Sequence, residues 1–423
     1  MRQTHLFTHS RKDAPKDEVS KNAQLLIRAG FIHKEMAGVY TLLPMGLRVI
    51  NKIARVIREE MNAIGGQEML MTTLQDPEIW KHTGRWDDSA VDVWFKTHLH
   101  KGDAPHQGAE LGIANTHEEA LTTLLRDHLA SHRDLPRYIY QIQTKFRNEI
   151  RAKSGIMRTR EFQMKDLYSF NTDEQGFREF YEQCAEAYMR IFMRMGIGAM
   201  TYRTFASGGS FSRFSDEFQT VTPAGEDTIY INDEKHIAVN KEVYHDDVLA
   251  DLGLTKSEMR EERAIEVGNI FPLATRFCEA AGLQFADEKG EKHYPYMGCY
   301  GIGLGRLMGT VVEVLSDEKG MVWPEEIAPF RVHLISLAGS KEDVAREAQH
   351  MYELLLDHGI EVLFDDRDVR AGEKFADADM FGIPYRMVVS EKTMAAGVVE
   401  MTHRSTGATE LVPESGIITR LTS

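Results

Sequence analysis

Cysteine is scarce in this chain, with three in 423 residues. Cys184, Cys278 and Cys299 lie far apart, which gives neither a disulfide framework nor the paired spacing of a zinc site; they read as small buried hydrophobes, and no zinc is expected. Long apolar runs are missing too. None approaches the length of a membrane span, and the first sixteen residues, with His5, His9 and charges of both signs, form neither a signal-peptide core nor an Arg-rich transit segment. A cytoplasmic protein with no membrane association is the expectation. Positive charge is in deficit: 50 Lys and Arg stand against 65 Asp and Glu, a formal net charge of -15. That excludes nucleic-acid binding driven by the whole surface and leaves room for a local basic groove.

What is present is enough chain for two domains with substantial cores. The organising stretch is 143–170. Tyr140, Ile142, Phe146 and Ile150 alternate with Gln141, Gln143, Lys145, Arg147 and Glu149, the period of a half-buried strand with one polar working face. Arg151, Lys153, Ser154 and Gly155 break the pattern and 159–168 resumes it, which predicts an antiparallel hairpin. Six cations crowd it: Lys145, Arg147, Arg151, Lys153, Arg158 and Arg160. The residues alone leave two readings open, a solvated charged hairpin or an ordered arginine face that grips phosphate bidentately.

Elsewhere, Val49, Ile53, Val56 and Ile57 place a helix over 45–61, stopped by Gly65-Gly66, and a strand is expected over 68–74. His98, His100 and His106 could hold a metal, but without a third ligand at a recognised spacing they read as a solvated hairpin. Thr116 and Glu119 form a capping-box pattern ahead of Leu121, Leu124, Leu125 and Leu129. An aromatic-rich amphipathic helix is predicted over 174–195. The Gly-rich turn at 301–305 enters an apolar helix without the context of a dinucleotide fingerprint. Beyond the proline-marked stretch 323–330, strand and helix patterns alternate, with a helix over 342–357 and another near Phe375, as in an α/β domain with a mainly parallel sheet.

FRNE, a basic loop and REF, at 146–162, resemble motif 2 of the class II aminoacyl-tRNA synthetases, and MKDLYSF is similar to the prolyl-tRNA synthetase version. RAGFIHKEMAGVYTLLPMGLRV and GGQEMLMTTLQDPEIW resemble that family's opening and motif 1, MGCYGIGLGRLMGTVVEVL its motif 3, and DDRDVRAGEKFADADMFGIP its anticodon-binding domain. The resemblance implies a mixed α+β and α/β architecture: an antiparallel-sheet catalytic domain followed by a C-terminal α/β anticodon-binding domain. Residues 1–225 would carry motifs 1 and 2, 226–262 a small insertion, 263–328 motif 3, and 329–423 the anticodon-binding domain. The insertion is too short for the large editing domain of bacterial relatives, so no editing in cis is expected.

The activity implied is ATP-dependent conversion of proline to prolyl-adenylate and transfer to the 3′ end of tRNA(Pro), by a homodimer using Mg2+. Arg147 would bridge the substrate carboxylate and the α-phosphate, with Arg158 and Arg306 on the outer phosphates. Glu149 would meet the adenine amino group, Phe162 would stack on the ring, and Gly301 and Gly303 would let ATP approach the backbone. Thr116 and Glu118 would hold the substrate's amino group, with Met164, Asp166 and Tyr168 walling the proline pocket. Asp366, Arg367 and Lys374 are the candidate anticodon contacts. Two departures from the family pattern stand out: Thr72 where proline is usual at the dimer motif, and Asp216 where histidine is usual near the amino-acid pocket. A same-fold enzyme for another amino acid and a non-catalytic tRNA-binding paralogue are the alternatives.

Overall fold

The computed structural model describes residues 1–100, 102, 108–150, 152, 154–209 and 211–422. His106, Arg151, Lys153 and Ser210 lie outside them. The chain divides into two compact units: 36–39 with 54–310, and 1–35 with 40–53 and 311–423. Among the described residues no helix is long and apolar enough to cross a membrane.

The larger unit is built on a nine-stranded sheet. Its strands are β1 (Gln67–Glu68), β2 (Arg137–Phe146), β3 (Glu161–Asn171), β4 (Thr201–Ser207), β5 (Phe214–Val221), β6 (Asp227–Asn232), β7 (Ile237–Asn240), β8 (Arg260–Ala274) and β9 (Tyr296–Gly303), in the order β5-β4-β7-β6-β8-β9-β3-β2-β1. All pairs are antiparallel except β7 with β4 and β1 with β2. An additional pairing of β5 with β8 closes β5-β4-β7-β6-β8 into a ring. Residues 226–262 thus contribute two strands, β6 and β7, to this same sheet. Three helices serve it: α1 (Glu118–Leu125), α2 (Glu174–Arg194) and α3 (Leu304–Leu315). Asp173 caps α2 by accepting from Gly176 N at 2.9 Å, and Phe177, Phe180, Cys184, Tyr188, Ile191 and Phe192 are buried along the helix. Burying such a stripe removes about 1.5–3 kcal/mol worth of apolar exposure per large side chain, which holds the helix down where propensity alone would not.

The hairpin forms as β2 and β3, but three local expectations give way. Ile150 is 81% exposed because β2 stops at Phe146; there Arg147 N bonds Arg160 O and Asn148 N turns to Val93 O. The 68–74 strand is paired only at Gln67–Glu68 and Leu74–Gln75, because between them Gln141 and Gln143 side chains take Met71 N (3.0 Å) and Met71 O (2.9 Å). The residue capping α1 is His117, and Thr116 Oγ1 donates to Glu118 instead of closing a capping box.

The smaller unit carries a five-stranded sheet of β10 (Val332–Ser336), β11 (Val362–Asp365), β12 (Tyr385–Val389), β13 (Val398–His403) and β14 (Thr409–Pro413), in the order β11-β10-β12-β13-β14. The first three strands are parallel and the last two antiparallel. Helices Glu342–Asp357 and Ala371–Phe381 supply the crossovers, the former burying Val344, Ala348, Met351 and Leu355.

Candidate active site

Three adjacent strands make the floor of the site. β9 runs between β8 and β3, placing Gly301 opposite Asn269 on one side and Asp166 on the other, with Gly303 opposite Met164. Phe162, Met164, Gly301, Gly303, Glu266 and Asn269 line one cleft. Gly301 leaves close room beside Asn269, whose Oδ1 would lie 3.0 Å from a Cβ at that position. Arg147 and Glu149 beyond β2, Ile156, Met157 and Arg158 of the hairpin loop, and Arg306 of α3 form the walls.

The three guanidiniums differ in their partners. Arg158 Nε lies 2.8 Å from Glu149 and its Nη1 2.7 Å from Glu226. Arg306 Nη1 lies 2.7 Å from Glu266, and its Nε donates to Met157 O at 3.0 Å. Arg147 makes no ion pair among the described residues; its Nε donates to Asn115 O at 3.3 Å, and its guanidinium carbon lies 5.5 Å from the Phe162 ring centroid. Burial first, and then the charge of Arg306, lower the Arg147 pKa from its ordinary value. A guanidinium stays charged regardless, so this is a poorly compensated cation beside a cleft.

Under the floor lies a fully buried polar network. Asp166 Oδ2 accepts from Lys145 Nζ (2.8 Å), Tyr168 OH (2.9 Å) and Gln141 Nε2 (3.0 Å). Lys145 also donates to His117 Nδ1, while His117 Nε2 lies 3.0 Å from Thr72 O, so the ring proton belongs on Nε2. Burial, and then the Lys145 charge, bring His117 down to about 4, which leaves it neutral near pH 7. The polar side of β2 is therefore turned inward: Gln141 and Lys145 have no exposure at all. Glu118, equally buried, accepts from Thr116 Oγ1 (2.8 and 2.7 Å), Arg85 Nη1 (3.3 Å) and Cys299 Sγ (3.3 Å).

All seven residues nominated for ATP line the one cleft, as does Met164. Thr116, Glu118, Asp166 and Tyr168 belong to the buried layer instead. Asp216 does not line the cleft; its carboxylate meets Arg203 Nη2 at 2.9 Å, so this departure from the family pattern falls on the opposite face of β5 from Glu217. Glu266 and Asn269 were not singled out in the sequence. Arg85, in a loop without periodicity, gave no signal. In the smaller unit, Asp366, Arg367 and Lys374 line a second groove together with Arg2. Each has protein partners there: Asp366 with Arg2 (3.0 Å), Arg367 with Asp365 (2.7 Å) and Asp377 (2.8 Å), and Lys374 with Ser336 O (2.7 Å).

Residues 96–315 match the family model of the tRNA synthetase class II core domain (G, H, P, S and T), and 331–423 match that of the anticodon binding domain. The proline–tRNA ligase of Acidiphilium cryptum is 37% identical over 434 residues, covering 96% of each chain, and that of Anaplasma phagocytophilum is 36% identical over 440 residues, covering 100% of each. The chain belongs to the proline–tRNA ligase family. A solved Giardia lamblia prolyl-tRNA synthetase in complex with prolyl-adenylate shares the fold, with a TM-score of 0.77 at 20% identity over 94% of this chain and 75% of that one. The class II core match holds every residue of the cleft, and the anticodon-domain match holds Asp366, Arg367 and Lys374.

Proposed function

We propose that this proline–tRNA ligase family member activates proline with ATP to prolyl-adenylate, releasing pyrophosphate, and transfers the prolyl group to the 3′ end of tRNA(Pro), releasing AMP, with Arg147 as the central catalytic cation. The observation that carries the proposal is the contrast between Arg147, which pairs with no carboxylate among the described residues, and Arg158 and Arg306, which do. Attack of the proline carboxylate on the α-phosphate gathers negative charge at one place. It needs positioning and charge stabilisation more than a protein base. An unpaired guanidinium can bridge both reacting groups bidentately. Arg158 and Arg306 then take the outer phosphates, exchanging carboxylate for phosphate oxygens, while Phe162 offers a ring face and Glu149 an acceptor for adenine.

Thr116 and Glu118 hold the amino group of proline, with Met164 on the cleft side and Asp166 and Tyr168 bracing the pocket from behind. Magnesium would be held through a carboxylate together with substrate phosphates; Glu266 on the cleft floor is a suitable oxygen donor, and the bound ion would offset phosphate charge. Transfer to tRNA assigns the groove of Asp366, Arg367 and Lys374 to the anticodon end. The exposed alternation of Leu70, Thr72 and Leu74 around buried Met71 and Gln75 supports a homodimer contact at motif 1. The small 226–262 segment provides no editing in cis, and the cytoplasm is the working compartment.

The test is amino-acid-dependent ATP–pyrophosphate exchange without tRNA, run across the twenty amino acids. Proline should dominate. A folded protein that exchanges with no amino acid would leave the non-catalytic tRNA-binding reading.

A further inference from the structure

Arg85 lies just beyond the short helix Pro77–Lys81, and only 5% of it is exposed. Its Nη1 donates to Glu119 at 2.9 and 3.1 Å and to Glu118 at 3.3 Å, so one guanidinium serves two neighbouring buried carboxylates. Three aromatic rings surround it, with centroids at 5.3 Å for Trp80, 4.9 Å for Phe211 and 5.3 Å for Phe277. Trp94 Nε1 fixes its backbone by donating to Arg85 O at 3.0 Å. Phe211 comes from the Gly-rich loop between β4 and β5, and it is half-buried. A cation between carboxylates and rings has its direction set by both.

We propose that Arg85 is a positioning residue for amino-acid binding: it aims the Glu118 carboxylate, and the Phe211 ring on its guanidinium helps to hold that aim. This rests on the reading that Glu118 receives the substrate's amino group. Arg85 touches no cleft residue that serves ATP, so its influence is confined to the amino-acid half of the reaction. Burial, outweighing the pull of Arg85, pushes Glu119 up to about 7, with the Glu118 charge adding to the rise. The carboxylate pair is therefore already short of positive charge.

The experiment is steady-state ATP–pyrophosphate exchange on the full chain, with KM measured separately for proline and ATP. Arg85→Lys keeps the charge and loses the planar guanidinium with its stacking face. Phe211→Leu removes only the ring contact at a half-buried position. Arg85→Lys should raise the KM for proline about tenfold or more with the KM for ATP within about twofold, and Phe211→Leu should raise the proline KM about threefold with the same selectivity. Unchanged proline KM in a folded Arg85→Lys protein overturns the proposal, as does a parallel rise in both KM values. If Arg85→Lys does not fold, Phe211→Leu decides, and an unchanged proline KM there overturns it equally. Failure of the functional reading is separate, since it would show as no proline-dependent exchange by the unsubstituted protein.

Discussion

Lys145 Nζ and Asp166 Oδ2 lie 2.8 Å apart directly beneath the cleft, and neither residue is more than 2% exposed. Burial lowers the lysine pKa against the attraction of Asp166, while Lys145, His117 and Gln141 hold the Asp166 carboxyl below its ordinary range against burial. A buried ion pair contributes little net stability, yet removing one partner strands the other charge in a low dielectric. Lys145→Met and Asp166→Asn should each lower the unfolding free energy by about 3 kcal/mol or more. The double variant should lose less than the sum of the two. Urea unfolding followed by circular dichroism measures all three; additive losses would mean that the pair is not coupled.

Arg147→Ala should abolish proline-dependent exchange. Losing one electrostatic donor at a developing charge costs about 3 kcal/mol or more, a rate loss of roughly two orders of magnitude. The fold should survive, because the guanidinium pairs with no carboxylate among the described residues and its removal leaves no anion stranded. Arg147→Lys restores the charge but not the bidentate geometry, and it should recover only a small part of the rate. Exchange within threefold of the parent protein in Arg147→Ala would refute the assignment.

The cleft was legible because the motif resemblance singled out one hairpin and one strand–helix turn, while the residues alone left a solvated charged hairpin equally open. Arg147 to Phe162 come from one hairpin, and Gly301 to Arg306 from one strand–helix turn. Where hydrogen bonding between distant segments decided the outcome, local pattern failed. Nothing near 68–74 says that the side chains of Gln141 and Gln143 will interrupt its pairing. Arg85 was invisible for the same reason: its role comes from Glu118, Phe211 and Phe277, which are far away in the chain. Asp216 drew attention by its type, while alternation along β5 faces Glu217 toward Glu266.

Glu217 gives a pH prediction. Burial first, and then the charge of Glu266, push it up to about 8, against donors at 2.8 Å from Gln219 Nε2 and 3.1 Å from Asn240 Nδ2. Its folded pKa lies above the unfolded value of roughly 4.3. The folded protein therefore keeps a proton that the unfolded chain has released, and the associated stability is full below that lower value and lost as pH rises to about 8. Glu217→Gln cannot ionise. Its Tm relative to the parent protein should climb between about pH 5 and about pH 8.5, as read by scanning calorimetry. A difference independent of pH would mean that Glu217 is ionised throughout.

In the smaller unit, Asp366 is occupied before any RNA arrives. Arg2 Nη1 (3.0 Å), Thr4 N (3.1 Å) and Thr4 Oγ1 (2.9 Å) all donate to its carboxylate. Those contacts hold the first residues of the chain along β11, where Phe364 N donates to Met1 O at 2.9 Å and Arg2 stacks over Tyr352 and Phe364. The chemistry favours an anchoring role for Asp366. Asp366→Ala should accordingly speed amide hydrogen exchange at Thr4 and Phe364 by about tenfold, the loss of roughly 1.4 kcal/mol of local charge-assisted bonding. Its KM for tRNA should rise only as far as that arm loosens. Retained protection together with a large rise in the tRNA KM would place the carboxylate itself on the RNA.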